Sequence, residues 1–246
     1  MPNESVEMHK RQELSPWKSI RVAVTGGTSG LGLALVRMLL DQGARVAFIA
    51  RNRDRVERLM RERTDARGIT GDVSQKGDTY SIAIQILGDL GGLDVLINNA
   101  SSLGPIPLAP LADTNCEDFE RALQTNVLGP FRLTKALLGA LAASAREGRR
   151  PLVVNISSDA AISAYPNWGA YGASKAALHH LTGIWNAELA SHGVQIISWD
   201  PGDMDTPLHA VAVPDADSTI LRRPEDAARE LVSKIADLIL PVREAS

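Results

Sequence analysis

Short apolar runs alternate with longer runs of helical length along almost the whole chain. The short runs are rich in Val, Ile and Ala, which is typical of buried strands. The pattern predicts strands at residues 21–25, 45–50, 67–70, 95–98, 152–156 and 195–200. It predicts helices at residues 31–42, 54–62, 78–90, 117–128, 130–147, 171–191 and 224–239. We therefore expect an α/β fold of three layers (α/β/α), in which helices cover both faces of a doubly wound parallel sheet.

The chain is long enough for one such domain with a full core. It has 246 residues, 44% of them hydrophobic, and it contains no internal repeat or low-complexity linker. Residues 1–18 are polar and charged, so we expect a flexible N-terminal lead before a single domain at residues 19–246. Trp17 is the residue of this lead that is best suited to pack onto the domain.

Charge and cysteine content argue against several classes of partner. The net charge is only −3 and no basic stripe carries interleaved aromatic residues, so we expect no nucleic-acid binding. No apolar run is long enough to span a bilayer and the N-terminus is not a secretory signal, so we expect no membrane association. Cys116 is the single cysteine, which excludes an internal disulfide and favours a reducing, cytoplasmic location.

Tyr171 and Lys175 stand four residues apart at the start of a predicted helix. Residues at this spacing share one helix face, so the ammonium can approach the phenol and stabilise the phenolate. A phenol whose pKa is lowered in this way toward working pH is a suitable general acid and base. The alternative is a chance pair on a solvated helix face.

A glycine-rich segment follows the first predicted strand and precedes an apolar helix. Glycines permit a sharp turn there and let backbone N–H groups approach a diphosphate at the positive end of the helix. The spacing of Gly26, Gly30 and Gly32 differs from the long-known G-x-G-x-x-G fingerprint, and an ordinary strand-to-helix turn is the alternative.

Two further predicted strands end in polar residues. Asn98 and Asn99 follow one of them, and Ser157 and Ser158 follow another, thirteen positions before Tyr171. Parallel strands present their carboxyl ends at one edge of the sheet, where open α/β folds bind ligands. An Asn-rich turn and a pair of capping serines are the alternatives.

Together with Asn126 and Pro201-Gly202, these segments resemble the short-chain dehydrogenase/reductase family, in its compact single-domain branch. The similarity covers roughly residues 20–240. It implies a Rossmann-type dinucleotide-binding catalytic domain that transfers a hydride between a nicotinamide and a carbonyl or secondary alcohol substrate. It also implies a homodimer or homotetramer, because the predicted helices 130–147 and 171–191 carry more apolar surface than one sheet face needs.

The resemblance assigns roles to individual residues. Tyr171 is implied as acid or base, Lys175 as the group that lowers its pKa and holds the nicotinamide ribose, and Ser158 as a hydrogen-bond partner of the substrate oxygen. Asn126 is implied to order a water that links Lys175 to solvent. Residues implied in cofactor binding, besides Tyr171 and Lys175, are Gly26, Thr28, Ser29, Gly30, Leu31, Gly32, Asp72, Val73, Asn99, Ala100, Pro201, Gly202, Met204 and Thr206.

The residues after the second predicted strand bear on the choice of cofactor. An acid there would bond a ribose 2′-hydroxyl, but the sequence has Ala50-Arg51-Asn52-Arg53. Arg51 can grip a 2′-phosphate, with Arg53 a weaker candidate, so we predict NADP(H) in preference to NAD(H). A solvated loop arginine is the alternative. Asp72 is implied as an adenine contact, with a helix cap as its alternative.

The sequence departs from the family at two places. A seventh strand normally follows the last helix, and here it is either absent or the sequence stops before it. Ser101 stands where the family usually has glycine after Asn98-Asn99-Ala100, and a side chain there narrows the nicotinamide approach or changes the backbone angle. We expect neither departure to affect the catalytic groups.

Substrate and metal predictions are less specific. We expect residues 207–223, with His209 and Arg222, to form a flap over an apolar cleft, and the candidate wall residues are Leu103, Ile106, Tyr165, Trp168 and Trp199. Asp203 and Asp205 have no histidine or cysteine at ligand spacing, so we predict no metal. The competing function is a redox sensor or scaffold that binds the dinucleotide without turnover.

Overall fold

The computed structural model describes residues 15–240. Six parallel strands form one sheet in the order β3-β2-β1-β4-β5-β6. The strands are β1 (Arg21–Thr25), β2 (Arg45–Ala50), β3 (Arg67–Thr70), β4 (Val95–Asn98), β5 (Leu152–Ile156) and β6 (Gln195–Trp199). The predicted doubly wound sheet is confirmed, and its order reverses between β1 and β4.

Eight α-helices connect and flank these strands in the described part of the chain. They are α1 (Gly30–Asp41), α2 (Arg53–Glu62), α3 (Asp78–Leu90), α4 (Cys116–Leu123), α5 (Gly129–Arg146), α6 (Gly169–Leu189), α7 (Pro207–Ala212) and α8 (Pro224–Ile239). A π-helical turn, Gln124–Leu128, joins α4 to α5, where the sequence predicts one uninterrupted helix ending at residue 128. The structure also differs from the prediction at α6, which begins two residues before Tyr171.

Alternation of side chains along the strands builds two cores, one on each face of the sheet. Val22 and Phe48 point into the layer that contains α1 and α8, whereas Ala23 and Ile49, their neighbours in sequence, point into the layer with α3 and α5. Because both faces of the central strands β1, β2, β4 and β5 are covered, these strands are largely apolar and buried, as parallel strands require. The helical layers therefore leave the two ends of these strands accessible to polar chemistry.

Predictions at the two ends of the chain fall partly outside the described residues. Residues 1–14 of the predicted flexible lead and the tail after Leu240, where a seventh strand was sought, lie there. The last residues of the predicted lead form a short 3₁₀ helix, Pro16–Ser19, in which Trp17 is only 4% exposed. Within residues 15–240, no helix is both long enough and apolar enough to cross a bilayer.

An ion-pair cluster closes the amino-terminal edge of the sheet. The guanidinium of Arg21 donates to both carboxylate oxygens of Asp94, at 2.7 and 3.0 Å, and the Ser144 hydroxyl donates to the same carboxylate at 2.6 Å. The backbone N–H of Arg21 adds a fourth bond at 2.9 Å. We call Arg21, Asp94 and Ser144 the amino-edge cluster; it ties β1, the start of β4 and α5 together.

Candidate active site

A cleft of about 810 Å³ opens at the carboxyl-terminal edge of the sheet, where the strand order reverses. This is the position at which open α/β sheets bind ligands. Most of the residues that the sequence predicts for the site line this cleft: Gly26, Thr28, Ser29, Gly30, Leu31, Arg51, Asp72, Val73, Asn99, Ala100, Ser158, Tyr171, Lys175, Pro201, Gly202, Met204 and Thr206. Gly32 and Asn126 lie behind the lining.

The glycine turn has the shape that the sequence predicts. Gly26 has φ of +70°, a left-handed conformation that favours glycine. A Cβ on Gly32 would overlap the carbonyl oxygen of Gly26, so this glycine permits close packing of α1 against the turn. Gly32 therefore packs behind the turn. It does not line the cleft, where its predicted contact with the cofactor would be made.

The end of β4 is tied to the glycine turn by hydrogen bonds that the sequence reasoning missed. The hydroxyl of Thr25 accepts from the backbone N–H groups of Asn99 and Ala100, at 2.9 and 3.0 Å. The side-chain amide of Asn99 donates back to the carbonyl of Thr25 at 2.8 Å. Thr25 is thus a positioning residue, and the signal available for it was a hydroxyl at the end of an otherwise apolar strand.

A second set of amides fixes the strand ends beneath the cleft. Asn98 donates to Asn155 at 2.8 Å, and Asn155 donates to Thr182 of α6 at 2.9 Å. All three side chains are buried, and each has a partner, as buried polar groups require. The ladder joins β4 and β5 to the helix that carries Tyr171.

The start of α1 fits a diphosphate. Ser29 precedes the helix and makes no side-chain cap, so the first N–H groups of α1 are not covered by that side chain. Gly30 has φ of +49°, and a Cβ on it would come within 3.1 Å of the Thr206 side chain across the cleft. A helix N-terminus lined by glycine is a ready anion site, so these residues can hold the diphosphate of a dinucleotide.

The far end of the cleft is basic on one side. The Arg51 side chain is 73% exposed, and its nearest guanidinium nitrogen lies 4.0 Å from the outer carboxylate oxygen of Asp72. The inner oxygen of Asp72 accepts from the backbone and hydroxyl of Ser74, at 2.9 and 2.8 Å. Arg55, which sequence reasoning missed, lines the cleft, and Arg53 does not. Asn52 caps α2 by accepting from the backbone N–H of Arg55 at 2.9 Å, so Arg55 lies in the first turn of that helix.

Tyr171 and Lys175 lie side by side in the floor of the cleft and are almost fully buried. The ammonium of Lys175 donates to the carbonyl of Ile156 at the end of β5, at 2.7 Å. It lies 5.4 Å from the centre of the Tyr171 ring. The helical spacing of the two residues therefore brings them together as predicted, with the ammonium anchored to the sheet.

The pKa of Tyr171 moves in the direction opposite to the expected one. Burial raises it to about 12, although the nearby hydroxyls of Ser158 and Ser101 lower it in part. Burial also lowers the pKa of Lys175 to about 8, partly offset by the carboxylate of Asp200. Desolvation disfavours both charged forms, and this outweighs the expected stabilisation of the phenolate by Lys175.

Ser158 both caps a short helix and faces Tyr171. Its oxygen accepts from the backbone N–H of Ala160 at 3.2 Å, and its proton is donated to the carboxylate of Asp159 at 3.0 Å. The phenol of Tyr165 donates to the other oxygen of Asp159 at 2.7 Å. This bond is the main reason why the pKa of Asp159 is below its ordinary value. The Ser158 bond acts in the same direction, and burial opposes both. Asp159 was not singled out in the sequence.

The side chain of Asn126 is committed to other protein groups. Its oxygen accepts from the backbone N–H of Ser102 at 2.8 Å and from the hydroxyl of Ser101 at 3.3 Å. Its amide donates to the carbonyl of Ser102 and to the hydroxyl of Ser174, both at 2.8 Å. All four bonding positions of the amide are occupied, so its side chain has no group left to order the expected water.

Ser101 contradicts the expectation that it leaves the catalytic groups unaffected. Its hydroxyl lines the cleft, bonds Asn126 and lies close enough to the Tyr171 phenol to lower the pKa of that group. Among described residues other than glycine, only Asn167 has a positive φ. The Ser101 backbone therefore has an ordinary conformation that does not require glycine.

The predicted flap is formed in part by α7. Leu208, Val211 and Val213 line the cleft, and Thr206 caps the helix through the His209 N–H at 3.2 Å. Arg222 does not line the cleft, although it was expected in the flap. Its guanidinium donates to the carbonyl of Pro201 at 3.2 Å and stabilises the loop after β6.

Most of the predicted wall residues lie where they were expected. Leu103, Ile106, Tyr165 and Trp168 line the cleft. Trp199 is buried in the core layer of α1 and α8, so its prediction as a wall residue was wrong. Among residues 15–240, no three His, Cys, Asp or Glu side chains form a group able to hold a metal ion.

The parallel sheet, the glycine-lined helix start and the buried tyrosine–lysine pair define a dinucleotide-binding oxidoreductase. Comparison with known proteins agrees. The family model described as short chain dehydrogenase matches residues 21–217, and the chain belongs to that short-chain dehydrogenase/reductase family. It is an oxidoreductase of this family.

Relatives and solved structures show the range within the family. The L-fucose dehydrogenase of Mus musculus is 32% identical over 203 residues, which cover 81% of this chain and 72% of the relative. A 3-ketoacyl-(acyl-carrier-protein) reductase from Brucella melitensis, complexed with NADH, has TM-score 0.80 and 26% identity, covering 86% of this chain and 88% of that one. An alcohol dehydrogenase from Thermococcus sibiricus, complexed with 5-hydroxy-NADP, has TM-score 0.78 and 25% identity, covering 92% and 93%.

Proposed function

We propose that this protein is an NADP(H)-dependent carbonyl reductase or alcohol dehydrogenase that uses Ser158, Tyr171 and Lys175. The observation that carries the proposal is the burial of Tyr171 beside Lys175 in the floor of a cleft that begins at the glycine turn. A nicotinamide cofactor supplies or accepts the hydride when it is bound. The chain's own residues bind, orient and move the proton.

Tyr171 is the proton donor in carbonyl reduction and the acceptor in alcohol oxidation. Because burial raises its pKa to about 12, the phenol holds its proton at neutral pH. A phenol with this raised pKa is a weaker acid, so donation of its proton to a carbonyl oxygen depends on the hydrogen bonds and positive charge around it. Lys175, with a pKa of about 8, is mostly charged at neutral pH and holds positive charge next to the phenol.

Asn126, predicted from the sequence as a catalytic residue, acts in this proposal as a positioning residue for Tyr171 and Lys175. Its four hydrogen bonds connect the segment after β4 to Ser174, which lies on the same helix as Tyr171 and Lys175. The π-helical turn that carries Asn126 is a type of irregularity common at functional sites. In this proposal Asn126 fixes the distance between the strand end and the catalytic helix.

The preference for NADP(H) rests on the end of β2. No acid follows this strand, and Arg51 and Arg55 both line the adjoining part of the cleft. Two guanidinium groups can bond a 2′-phosphate, whereas a ribose 2′-hydroxyl offers them only a neutral partner. NAD(H) remains the weaker cofactor in this proposal.

The substrate side of the cleft favours a carbonyl compound without a strong anionic group. The wall is largely apolar, through Leu103, Ile106, Trp168, Leu208 and Val211. The nearest fixed charge to Ser158 is the carboxylate of Asp159, which repels an anion. Ketones, aldehydes and neutral secondary alcohols are the substrate classes that fit.

We also propose a homodimer or homotetramer formed through α6. The exposed face of this helix carries Ile184, which is 42% exposed, two histidines and several small residues: Ala173, Ala176, Ala177, His179, His180 and Gly183. Small side chains let two helices approach closely across a two-fold axis, and the exposed apolar surface would then be buried. Light scattering that finds a monomer at micromolar concentration would contradict this.

Turnover with a panel of carbonyl compounds tests the function. The purified protein would be mixed with NADPH or NADH and with aldehydes, ketones and acidic ketones, and Tyr171→Phe would be measured beside it. We expect oxidation of NADPH by neutral carbonyls, and a loss of about a thousandfold in kcat/KM for Tyr171→Phe. Cofactor binding without turnover, unaltered by Tyr171→Phe, would favour the sensor or scaffold instead.

A further inference from the structure

The direction of each Ser158 hydrogen bond is fixed by the chemistry of its partner. An ionised carboxylate can only accept, so the hydroxyl of Ser158 must donate its single proton to Asp159, at 3.0 Å. A backbone N–H can only donate, so the Ser158 oxygen must accept from Ala160, at 3.2 Å. One lone pair of that oxygen remains for a further bond. Ser158 therefore offers the cleft a hydrogen-bond acceptor, while its proton is committed to Asp159.

The carboxylate of Asp159 is bonded on its other side as well. The phenol of Tyr165 donates to its second oxygen at 2.7 Å. Both bonds to the carboxylate favour its charged form, and the pKa of Asp159 lies below its ordinary value of 3.8. Ser158, Asp159 and Tyr165 all line the cleft, so these three groups form a connected row along its wall. Tyr165 thus holds the carboxylate that in turn holds the Ser158 proton.

We propose that Asp159 is a positioning residue that holds the Ser158 proton away from the substrate, with Tyr165 fixing Asp159 in place. This rests on the proposed function, in which the Ser158 hydroxyl bonds the substrate oxygen. An alcohol oxygen carries a proton and can donate a hydrogen bond to the free lone pair of Ser158. A carbonyl oxygen carries none, so Ser158 must turn from Asp159 before it can donate to a ketone. The row of three groups therefore favours binding of an alcohol over binding of the corresponding ketone.

The charge of Asp159 sets the size of this preference. A hydrogen bond to an ionised acceptor is about twice as strong as one between neutral groups. Ser158 therefore gives up a stronger bond than the one it gains when it donates to a neutral carbonyl oxygen. Asp159 is exposed, and water weakens such bonds, so we expect a modest preference. A change of about threefold to tenfold in affinity for a ketone is the corresponding effect of removing the carboxylate.

Binding to complexes that cannot react tests the preference without turnover. Cyclohexanone is not reduced in the presence of NADP⁺, and cyclohexanol is not oxidised in the presence of NADPH, so the two probes report binding alone. We expect Asp159→Ala to lower the dissociation constant of cyclohexanone about threefold to tenfold, because the Ser158 proton becomes available to the carbonyl oxygen. The dissociation constant of cyclohexanol should change less than about twofold, since its acceptor on Ser158 is retained. Protein NMR titration measures both constants.

Matched variants separate the hydrogen bond from the charge of Asp159. Asp159→Asn keeps a neutral oxygen that can accept from Ser158, so we expect a smaller gain for cyclohexanone than with alanine. Tyr165→Phe keeps the ring and frees the carboxylate, and it should act in the same direction. In a Ser158→Ala background, Asp159→Ala should leave the dissociation constant of cyclohexanone unchanged. An equal gain with and without the Ser158 hydroxyl would show an effect of charge alone and would overturn the proposal.

Titration of Asp159 tests the two contacts in the absence of any substrate. Its carboxyl carbon can be followed by NMR and assigned with Asp159→Asn. Ser158→Ala and Tyr165→Phe should each raise its midpoint toward 3.8, whereas Ser157→Ala, which removes the neighbouring hydroxyl, should not. A midpoint unmoved by Ser158→Ala would contradict the contact and the proposal with it.

Steady-state turnover then distinguishes failure of this proposal from failure of the function. Raised midpoints in a protein that converts neither carbonyl compounds nor alcohols would uphold the bond between Ser158 and Asp159 and refute the enzyme. Turnover by a protein in which Asp159→Ala changes neither the binding of cyclohexanone nor its KM would refute only the role of Asp159.

Discussion

Both ends of the sheet bury ionisable groups, but the charged forms are favoured at one end and disfavoured at the other. At the amino-terminal edge, Asp94 receives four hydrogen bonds from the backbone of Arg21, its guanidinium and Ser144. Burial alone raises the pKa of Asp94, but the bonds from Arg21 and Ser144 outweigh it, so the pKa is lowered overall. At the carboxyl-terminal edge, burial raises the pKa of Tyr171 and lowers that of Lys175, so it favours the neutral form of each.

The difference separates a structural ion pair, Arg21 and Asp94, from Tyr171 and Lys175, which are proposed to react. At the amino edge the charged forms are the stable ones, so the cluster contributes to folding and has no proton to exchange near neutral pH. At the carboxyl edge burial disfavours the charged forms, and it brings the pKa of Lys175 down to about 8, close to neutral pH. Such perturbed groups in a cleft are typical of functional sites.

Removing the ammonium at the carboxyl edge gives the largest expected effect of these comparisons. We expect Lys175→Met to lower kcat/KM on the order of a hundredfold to a thousandfold, because preorganised positive charge beside the phenol is lost. Stability should be unchanged or higher, since the burial of a charge with one carbonyl partner is costly. Steady-state kinetics and denaturant unfolding on the same samples measure both. Lower stability together with full activity would reverse the roles of the two edges.

The matching change at the amino edge should have the opposite outcome. We expect Asp94→Ala to lower the free energy of unfolding by about 3 kcal/mol, because the mostly buried Arg21 loses its bidentate carboxylate and keeps only Glu147 and the carbonyl of Gly91. Activity per folded molecule should not change, since the cluster lies at the other end of the strands.

An exposed pair of equal length provides the control for Asp94→Ala. Arg229 and Asp226 also meet at 2.7 Å, but their side chains are 68% and 48% exposed. Asp226→Ala should cost less than about 1 kcal/mol. Equal losses in the two variants would show that burial of the amino-edge cluster contributes nothing.

Two arginines sharpen the comparison further. Arg21 is mostly buried at the amino edge, whereas Arg51 is largely exposed at the mouth of the cleft. We expect Arg51→Ala to leave stability unchanged and to raise the KM for NADPH about tenfold to thirtyfold, because a charge-assisted bond to the 2′-phosphate is lost. The KM for NADH is the control and should stay the same. A parallel rise for both cofactors would contradict a phosphate contact.

Acidification should reveal the smallest effect, and at the amino edge Asp94 is the group that contributes to it. The pKa of Asp94 is lower in the folded state than its ordinary value of 3.8, so the unfolded chain takes up this proton first. The stability contributed by Asp94 is therefore present above about pH 4 and is lost as pH falls through the folded pKa. Denaturant unfolding of the wild type and Asp94→Asn across this range measures the contribution. A variant with the same pH slope as the wild type would exclude Asp94 as its source.

Several parts of the site follow from local sequence pattern. Tyr171 and Lys175 share a helix face because of their spacing, and Gly26 permits a left-handed turn because it lacks a Cβ. The strands could be predicted because both faces of a parallel sheet must be apolar. Each of these features depends only on residues close together in the chain.

Other parts depend on residues that meet only in three dimensions. The approach of Ser101 to Tyr171, the four bonds of Asn126 and the pairing of Ser158 with Asp159 require strand ends and helices to converge at one edge. The direction of the Tyr171 pKa shift also could not be predicted from the sequence, because desolvation depends on how much of the fold covers the phenol. Sequence alone thus determined the sheet, the turn and the identity of the reactive groups. The tertiary structure alone decided which forms of those groups are stable, because burial and long-range hydrogen bonds set their energies.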